Sequence, residues 1–97
     1  MKDGGEAVSE GAGIELIFPQ SFELKTVFID SEKTAAHGEN LVNLLARLSL
    51  VHGNYRARPS AKGSYVALSI PVRLPDRLSF DALYRELKTL PDLKWAM

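Results

Sequence analysis

The stretch RPSAKGSYVALSIPV, residues 58–72, constrains the fold of this chain more than any other segment. Its second half alternates strictly, with apolar side chains at Val66, Leu68, Ile70 and Val72. A period of two is typical of a β-strand that buries one face, so these four residues are predicted core residues. The Pro, Ser and Gly residues that precede them are typical of a short hairpin loop. We therefore predict a hairpin in which a short strand precedes a longer one.

Two further segments have the alternation of strands. Residues 22–29 alternate, and both faces become apolar toward the end, which favours a place in the centre of a sheet. The C-terminal LKWAM predicts a closing strand with Leu93, Trp95 and Met97 on one side.

Two segments repeat apolar residues with helical spacing instead. The apolar positions are Leu41, Leu44, Leu45 and Leu48 in the first segment, and Phe80, Leu83, Tyr84, Leu87 and Leu90 in the second. We predict a first helix with Asn40 as its N-cap and with Gly53 as a left-handed stop. The second is predicted to run from about Asp76, its cap, to Leu90. Residues 30–40 are a predicted polar connection.

The order strand, helix, strand, strand, helix, strand predicts an α+β fold. It is the ferredoxin-like βαββαβ sandwich, in which one four-stranded antiparallel sheet carries two helices on one face. The other face is then open. We assign residues 16–97 to this single domain. Residues 1–15, rich in glycine and acidic residues, are a predicted disordered N-terminal tail.

The composition excludes several classes of function. Twelve basic and 12 acidic residues give a net charge of zero, so no bulk attraction to nucleic acid or to a membrane is expected. The absence of cysteine excludes disulfides and thiolate metal sites and suits a reducing, cytoplasmic location. No apolar run approaches the roughly 18 residues of a membrane span.

Charge is distributed unevenly, because residues 40–75 contain several basic residues and no acidic one. Arg56 and Arg58 alternate in the short strand, so both project to one face, and Lys62 lies across the turn. With Tyr65, they are the candidate binding residues. Two interpretations stay open: a solvated hairpin neutralised by its neighbours, or a surface that binds an anion or a partner.

The order Lys62-Gly63 also begins RNA-recognition strands. In such strands the stacking aromatics follow two and four residues after the basic residue, here at Ser64 and Val66. The aromatic present, Tyr65, has the opposite parity and is predicted alone on the bare face. Weak nucleic-acid binding through Arg56, Arg58 and Lys62 is therefore the alternative function.

No catalytic residue, metal site or cofactor is predicted, and we expect a protein that is not an enzyme. His37 and His52 are isolated from one another and are expected to be surface or capping residues. Ser60 has no recognisable base to activate it. The chain has no glycine-rich phosphate loop.

Four motifs carry a resemblance to a known family: FP at residues 18–19, FELK in the first strand, RPSAKGSYVALSIPV and ALYRELKTL. Together they resemble the YbeD-like family of small bacterial proteins of unknown function over residues 17–97. The resemblance implies a ferredoxin-like fold similar to the ACT-type regulatory domains of amino-acid metabolism. Domains of that type bind ligands at the turn after the first strand, where this chain has a longer connection.

From the resemblance and the residues, we expect a regulatory or adaptor module that acts by binding. Its partner is expected to be another protein, or a second copy, that contacts the bare sheet face or an edge strand. If it binds a small anionic ligand, Arg56, Arg58 and Lys62 are the residues expected to hold it.

Overall fold

The computed structural model describes residues 17–97. The elements are β1 (Gln20–Ile29), a 3₁₀ turn (Ser31–Lys33), α1 (Thr34–Arg47), β2 (Arg56–Pro59), β3 (Tyr65–Leu74), α2 (Arg77–Leu87) and β4 (Leu93–Ala96). The sheet has the order β2–β3–β1–β4, and all its neighbouring strands are antiparallel. The predicted α+β ferredoxin-like fold is confirmed. The predicted N-terminal tail, residues 1–15, lies outside the described residues.

Two long strands form the centre of the sheet. β1 and β3 pair over their whole length, from Gln20 opposite Leu74 to Ile29 opposite Tyr65. Alternate side chains of both strands point to the helices and are buried. They are Leu24, Thr26, Phe28, Val66, Leu68, Ile70, Val72 and Leu74. The four core residues predicted in β3 are therefore confirmed.

Both helices bury a leucine stripe against that side of the sheet. In α1 the fully buried leucines are Leu41, Leu44 and Leu45, and in α2 they are Leu83 and Leu87. Burying each of them stabilises the fold by about 2 kcal/mol relative to exposure. The predicted cap of α2 is also correct, because the Asp76 side chain accepts a hydrogen bond from the Ser79 amide at 2.8 Å.

Helix α1 begins earlier than predicted. It starts at Thr34, directly after the 3₁₀ turn, so Asn40 lies inside the helix and its predicted role as N-cap is wrong. The buried side of α1 extends through His37 and Gly38, one turn before Leu41. A histidine and a glycine thus occupy positions on the apolar stripe.

Helix α1 also ends earlier than predicted. Ser49, with φ of 58°, is the left-handed residue, and the Leu50 amide donates to the Leu45 carbonyl at 3.0 Å. This is a Schellman ending, and it is closed by the buried side chain of Leu50. The predicted left-handed stop at Gly53 is wrong. Gly53 instead lies alongside β3, where its amide donates to the Pro71 carbonyl.

The edge strand β4 contains an irregularity that changes which side chains face the core. Val27 pairs with Trp95, whereas the next residue, Phe28, pairs with Leu93, so Lys94 is an extra residue in a β-bulge. Leu93 therefore packs against the core while Trp95 lies on the opposite side of the sheet. The prediction that both share one side is wrong.

Candidate functional site

The side of the sheet away from the helices is here called the open face. Its members alternate with the core residues or pair with other members across the sheet. They are Ser21, Glu23, Lys25, Val27 and Ile29 of β1, Arg56 and Arg58 of β2, Tyr65, Ala67, Ser69, Pro71 and Arg73 of β3, and Trp95 of β4. Neither helix covers them.

Five of these residues form a continuous apolar centre: Val27, Ile29, Tyr65, Ala67 and Trp95. Ile29 is opposite Tyr65, and Val27 is opposite both Ala67 and Trp95, so each member has a neighbour in the group. The side chains of Ile29, Tyr65 and Trp95 are 47%, 40% and 47% exposed. An exposed cluster that contains two aromatic residues is typical of a binding surface.

The open face also carries five cationic side chains, here called the basic rim. Lys25, Arg56, Arg58 and Lys94 lie near the apolar centre, and Arg73 lies farther along β3, opposite Ser21. The side chain of Lys94, the bulged residue, also lies on this side of the sheet. Its Nζ is 5.6 Å from the centroid of the Tyr65 ring. Among the side chains of residues 17–97, the open face carries one carboxylate, Glu23, which forms an ion pair with Arg56. The formal charge of the basic rim and Glu23 together is +4.

The acidic residues of the described chain lie elsewhere. Residues 17–97 contain eight acidic residues, and seven of them are outside the open face. Three of these seven form ion pairs away from it: Asp92 with Lys33, Glu86 with Arg47, and Asp81 with Arg77. Across residues 17–97, no carboxylate lies within ion-pair distance of the other four cations of the basic rim. Within the described residues, the open face is therefore a strongly basic surface.

The structure brings together three of the four candidate binding residues. Arg56, Arg58 and Tyr65 share the open face, whereas Lys62 lies in the hairpin loop beyond the strands. The parity argument against an RNA-recognition strand is correct, because Tyr65 is exposed and Val66 is buried. A binding role for the four residues stays a prediction.

Sequence reasoning missed part of this surface. Trp95 is a second aromatic residue on the open face, so the expectation that Tyr65 stands alone is wrong. Arg73 and Lys94 were not recognised as neighbours of the hairpin arginines. Strand alternation places Arg73 on the open face and was a usable signal. The bulge that exposes Trp95 and Lys94 has no such signal in the sequence.

The hairpin loop closes over the turn that follows β1. Gly63 has a φ of 75°, which glycine adopts without strain, and its carbonyl accepts from the Ser31 amide at 3.0 Å. The Ser64 carbonyl accepts from the Asp30 amide at 2.8 Å. These two amides of the turn are therefore occupied, and an anionic ligand at the position used by ACT-type domains would have to displace the loop.

Two cavities adjoin the open face. A shallow groove of about 580 Å³ lies where β1 begins and β3 ends, and the lining of the groove is mainly apolar. The groove is lined by Ser21, Phe22, Val51, His52, Gly53, Pro71, Val72 and Arg73. A second cavity of about 320 Å³ lies between α2 and β4 and includes Tyr84 and Trp95. Arg56, Arg58 and Lys62 line neither of these two cavities.

The histidines are placed for structural roles. His37 is only 2% exposed, stacks on Phe28 with ring centroids 4.6 Å apart, and lies with Nε2 2.9 Å from the Ile29 carbonyl oxygen. Because a carbonyl only accepts, Nε2 carries the hydrogen and donates it. The expectation of a surface or capping role is wrong for His37. His52 contacts the neighbouring Gly53 carbonyl through Nδ1 at 2.8 Å.

Other groups of functional interest are few within residues 17–97. No set of three or more His, Cys, Asp and Glu side chains is clustered there for a metal ion. No helix in this part of the chain combines the length and apolar character needed to cross a bilayer. Tyr84 is half-buried, and desolvation by burial raises the pKa of its phenol above the ordinary value of 10.0.

The sequence matches a family model described as a protein of unknown function, DUF493, over residues 14–97. A curated relative, a UPF0250 protein of Xylella fastidiosa strain 9a5c, is 34% identical over 82 residues, which cover 82% of this chain and 86% of the relative. A UPF0250 protein of Janthinobacterium sp. strain Marseille is 29% identical over 86 residues and covers 82% and 87% of the two chains.

Solved structures show the same fold at low sequence identity. The solution structure of protein HP0495 from H. pylori superposes with a TM-score of 0.66 at 8% identity and covers 87% of each chain. The C-terminal domain of the MgtC protein from Mycobacterium tuberculosis superposes with a TM-score of 0.59 at 15% identity, covering 87% of this chain and 89% of that domain. These similarities support the ferredoxin-like fold and carry no information on a ligand.

Proposed function

The chain belongs to the DUF493 family of proteins of unknown function, the YbeD-like family that its motifs resemble, and on this premise we propose that it is a non-catalytic regulatory or adaptor module. Its function is to bind a partner protein through the open face of the sheet. The observation that carries this proposal is the exposed apolar centre, which shares the open face with the basic rim.

This arrangement has the anatomy of a protein–protein interface. Such interfaces combine an apolar core with a polar rim, and Trp, Tyr and Arg dominate their binding energy. Trp95 and Tyr65 lie in the apolar centre, and Arg58 lies directly beside Ala67. Four strands spaced by about 4.8 Å and up to ten residues long give a face of roughly 15 by 30 Å. Its mixture of apolar and charged side chains favours a transient complex over an obligate one.

A binding role agrees with the placement of the groups that catalysis would need. The His37 ring is buried and hydrogen-bonded to backbone, and His52 contacts its own neighbour in the chain. The proposed module requires no cofactor. A cytoplasmic location is part of the proposal and rests on the absence of cysteine.

Photo-crosslinking in the native cells tests the proposal. A benzophenone amino acid is placed at Trp95 or Ala67 on the open face, and at Leu78 on α2 as the control. Leu78 is apolar and 80% exposed, more than Trp95 at 47%, so weaker crosslinking at Leu78 would not result from poorer accessibility. We expect discrete crosslinked products from the open-face positions and a loss of these products in a Tyr65→Ala variant. Equal products from Leu78, or none from the open face, would contradict the proposal.

Nucleic-acid binding is a second candidate, because Tyr65 and Trp95 share the open face with five cations. Single-strand binders combine aromatic stacking with a positively charged surface. Fluorescence anisotropy with labelled single-stranded RNA at low salt tests this candidate. Affinity that falls steeply as salt rises would favour it, since counterions are released on binding. An absence of binding at 20 mM salt would eliminate it.

A further inference from the structure

We propose that the partner of the open face is a protein segment that presents aliphatic or aromatic side chains flanked by Asp and Glu, and not a second copy of the same face. This inference rests on the proposed function and specifies the chemistry of the partner. It follows from the charge of the basic rim and the composition of the apolar centre.

The first step concerns the cations of the open face that form no ion pair within the described residues. Glu23 pairs with Arg56, and among residues 17–97 no carboxylate lies within ion-pair distance of Lys25, Arg58 or Lys94. These three border the apolar centre: Arg58 is beside Ala67, Lys25 is two residues before Val27 on the same side of β1, and Lys94 reaches Tyr65. A ligand that fills the apolar centre therefore brings its flanks next to cations. Carboxylates on those flanks would be attracted from three sides.

The second step excludes self-association through this face. A twofold dimer uses the same patch on both subunits. Two open faces brought together would place one charge of +4 against another, with a single carboxylate on each side. Because like charges in an interface repel strongly, a symmetric face-to-face dimer is disfavoured.

The third step separates an acidic peptide from a nucleic acid. The two aromatic residues are not adjacent, since the aliphatic side chains of Val27 and Ile29 lie between the Tyr65 and Trp95 strands. The Lys94 ammonium group lies over one face of the Tyr65 ring, 5.6 Å from its centroid, where it competes with a stacking base. Successive bases need free aromatic faces on which to stack, whereas aliphatic surface accepts aliphatic and aromatic side chains. The apolar centre therefore suits a peptide better than a base.

An NMR titration of the ¹⁵N-labelled full chain tests the inference with defined probes. The first probe is a synthetic twelve-residue peptide that alternates Glu with Leu and Phe. The second replaces every Glu by Lys, the third replaces every Leu and Phe by Ser, and the fourth is a twelve-nucleotide oligouridylate. We expect the first to shift the amide signals of Val27 and Ala67 and the indole signal of Trp95. The second and third should bind at least tenfold more weakly. The inference would be overturned if oligouridylate bound more tightly than the first peptide. It would also be overturned if the third peptide, which lacks Leu and Phe, bound as tightly as the first.

Matched charge-reversal variants test whether the first peptide binds at the open face. Lys25→Glu combined with Arg58→Glu changes the basic rim by four charge units and should weaken the first peptide at least tenfold. Arg77→Glu combined with Arg85→Glu makes the same change on α2, at residues that do not line the cavity beside Trp95, and should leave binding within twofold. Equal losses in both variants would contradict a site on the open face. Sedimentation equilibrium should show monomer, and a dimer abolished by Trp95→Ala would overturn the exclusion of self-association.

Different experimental results would contradict this inference and the proposed function. Crosslinks from Trp95 to a partner whose contact surface is basic or uncharged would leave the proposed function intact and overturn the inference. An absence of crosslinks from the open face would remove both. Crosslinks to an acidic, apolar segment, together with the expected ranking of the four probes, support both.

Discussion

Trp95 is directly opposite Val27 in the ladder between β1 and β4, and this pairing places its indole on the open face beside the basic rim. The bulge at Lys94 is the cause, because one extra residue in β4 reverses the side to which the following residue points. Trp95 is the only tryptophan in the chain. Its fluorescence therefore reports on the surface to which we assign function.

The first prediction uses that fluorescence to measure the charge of the open face. Iodide should quench Trp95 more strongly than caesium at equal ionic strength, because the basic rim concentrates anions and repels cations. Each Stern–Volmer constant is divided by its value for free N-acetyltryptophanamide, because the two ions differ in quenching efficiency. We expect a ratio of these normalised constants of at least about two at low salt, falling toward one as salt rises. Neutral acrylamide serves as the reference for accessibility.

The matched variants decide whether the basic rim is responsible. Lys25→Glu with Arg58→Glu should lower the iodide-to-caesium ratio, whereas Arg77→Glu with Arg85→Glu should leave it nearly unchanged. A ratio of one in the unmodified chain would show that the charges around Trp95 are already neutralised. That result would remove the electrostatic basis of the inferred partner.

The fold could be predicted because the strongest patterns in the sequence coincide with the largest buried surfaces. Val66, Leu68 and Ile70 alternate through the central strand β3, and a shift of one residue would expose them all. The leucines of α1 and α2 mark their buried stripes in the same way. Such patterns determine the strand register and the side of the sheet to which each side chain points. They therefore predicted that Arg56, Arg58 and Tyr65 share one face.

What escaped prediction depends on contacts between residues distant in the chain. The first two turns of α1 contain His37 and Gly38, residues that are usually polar or helix-weakening. His37 is buried because the Ile29 carbonyl accepts its hydrogen bond, and Gly38 lies against the Tyr55 ring. The side of Trp95 depends on a bulge in an edge strand of four residues. Neither contact leaves a local pattern.

The second prediction concerns the buried histidine. His37→Ala should lower the free energy of unfolding by about 2–4 kcal/mol, because it removes the stacking on Phe28, leaves a cavity and leaves the Ile29 carbonyl without its donor. His52→Ala, at a more accessible site, should change it by less than about 0.5 kcal/mol. Urea denaturation followed by circular dichroism measures both. Equal effects of the two substitutions would show that His37 is not part of the core.

The third prediction is a reversal of sign at Gly38. Replacing an interior helix glycine by alanine usually stabilises a protein by about 0.5–1 kcal/mol. A Cβ at Gly38 would lie 2.6 Å from Cε2 of Tyr55, closer than real contacts allow, so the ring would have to move. Gly38→Ala should therefore destabilise the chain by about 1–3 kcal/mol.

The control for Gly38 is the same substitution in a Tyr55→Ala background. Without the ring, the added methyl group meets no obstacle from that side chain, and the ordinary helix preference should make Gly38→Ala stabilising. Urea denaturation of the four proteins completes a double-mutant cycle with a large coupling energy. Additive effects would show that Tyr55 does not occupy the space above Gly38.

The last prediction follows from the half-buried phenol of Tyr84. Burial raises its pKa in the folded state, so the folded state holds the proton more tightly than the unfolded state, whose pKa is about 10. Below pH 10 both states are protonated, and this group gives no pH dependence. Above it the unfolded state ionises first, so the free energy of unfolding falls as pH rises.

Between pH 9 and pH 11 the unmodified chain should therefore lose more stability than Tyr84→Phe, in which this group cannot ionise. All other groups titrate in both proteins and cancel in the comparison. Urea denaturation at intervals of half a pH unit measures the difference, and parallel curves would show that the Tyr84 hydroxyl is freely solvated.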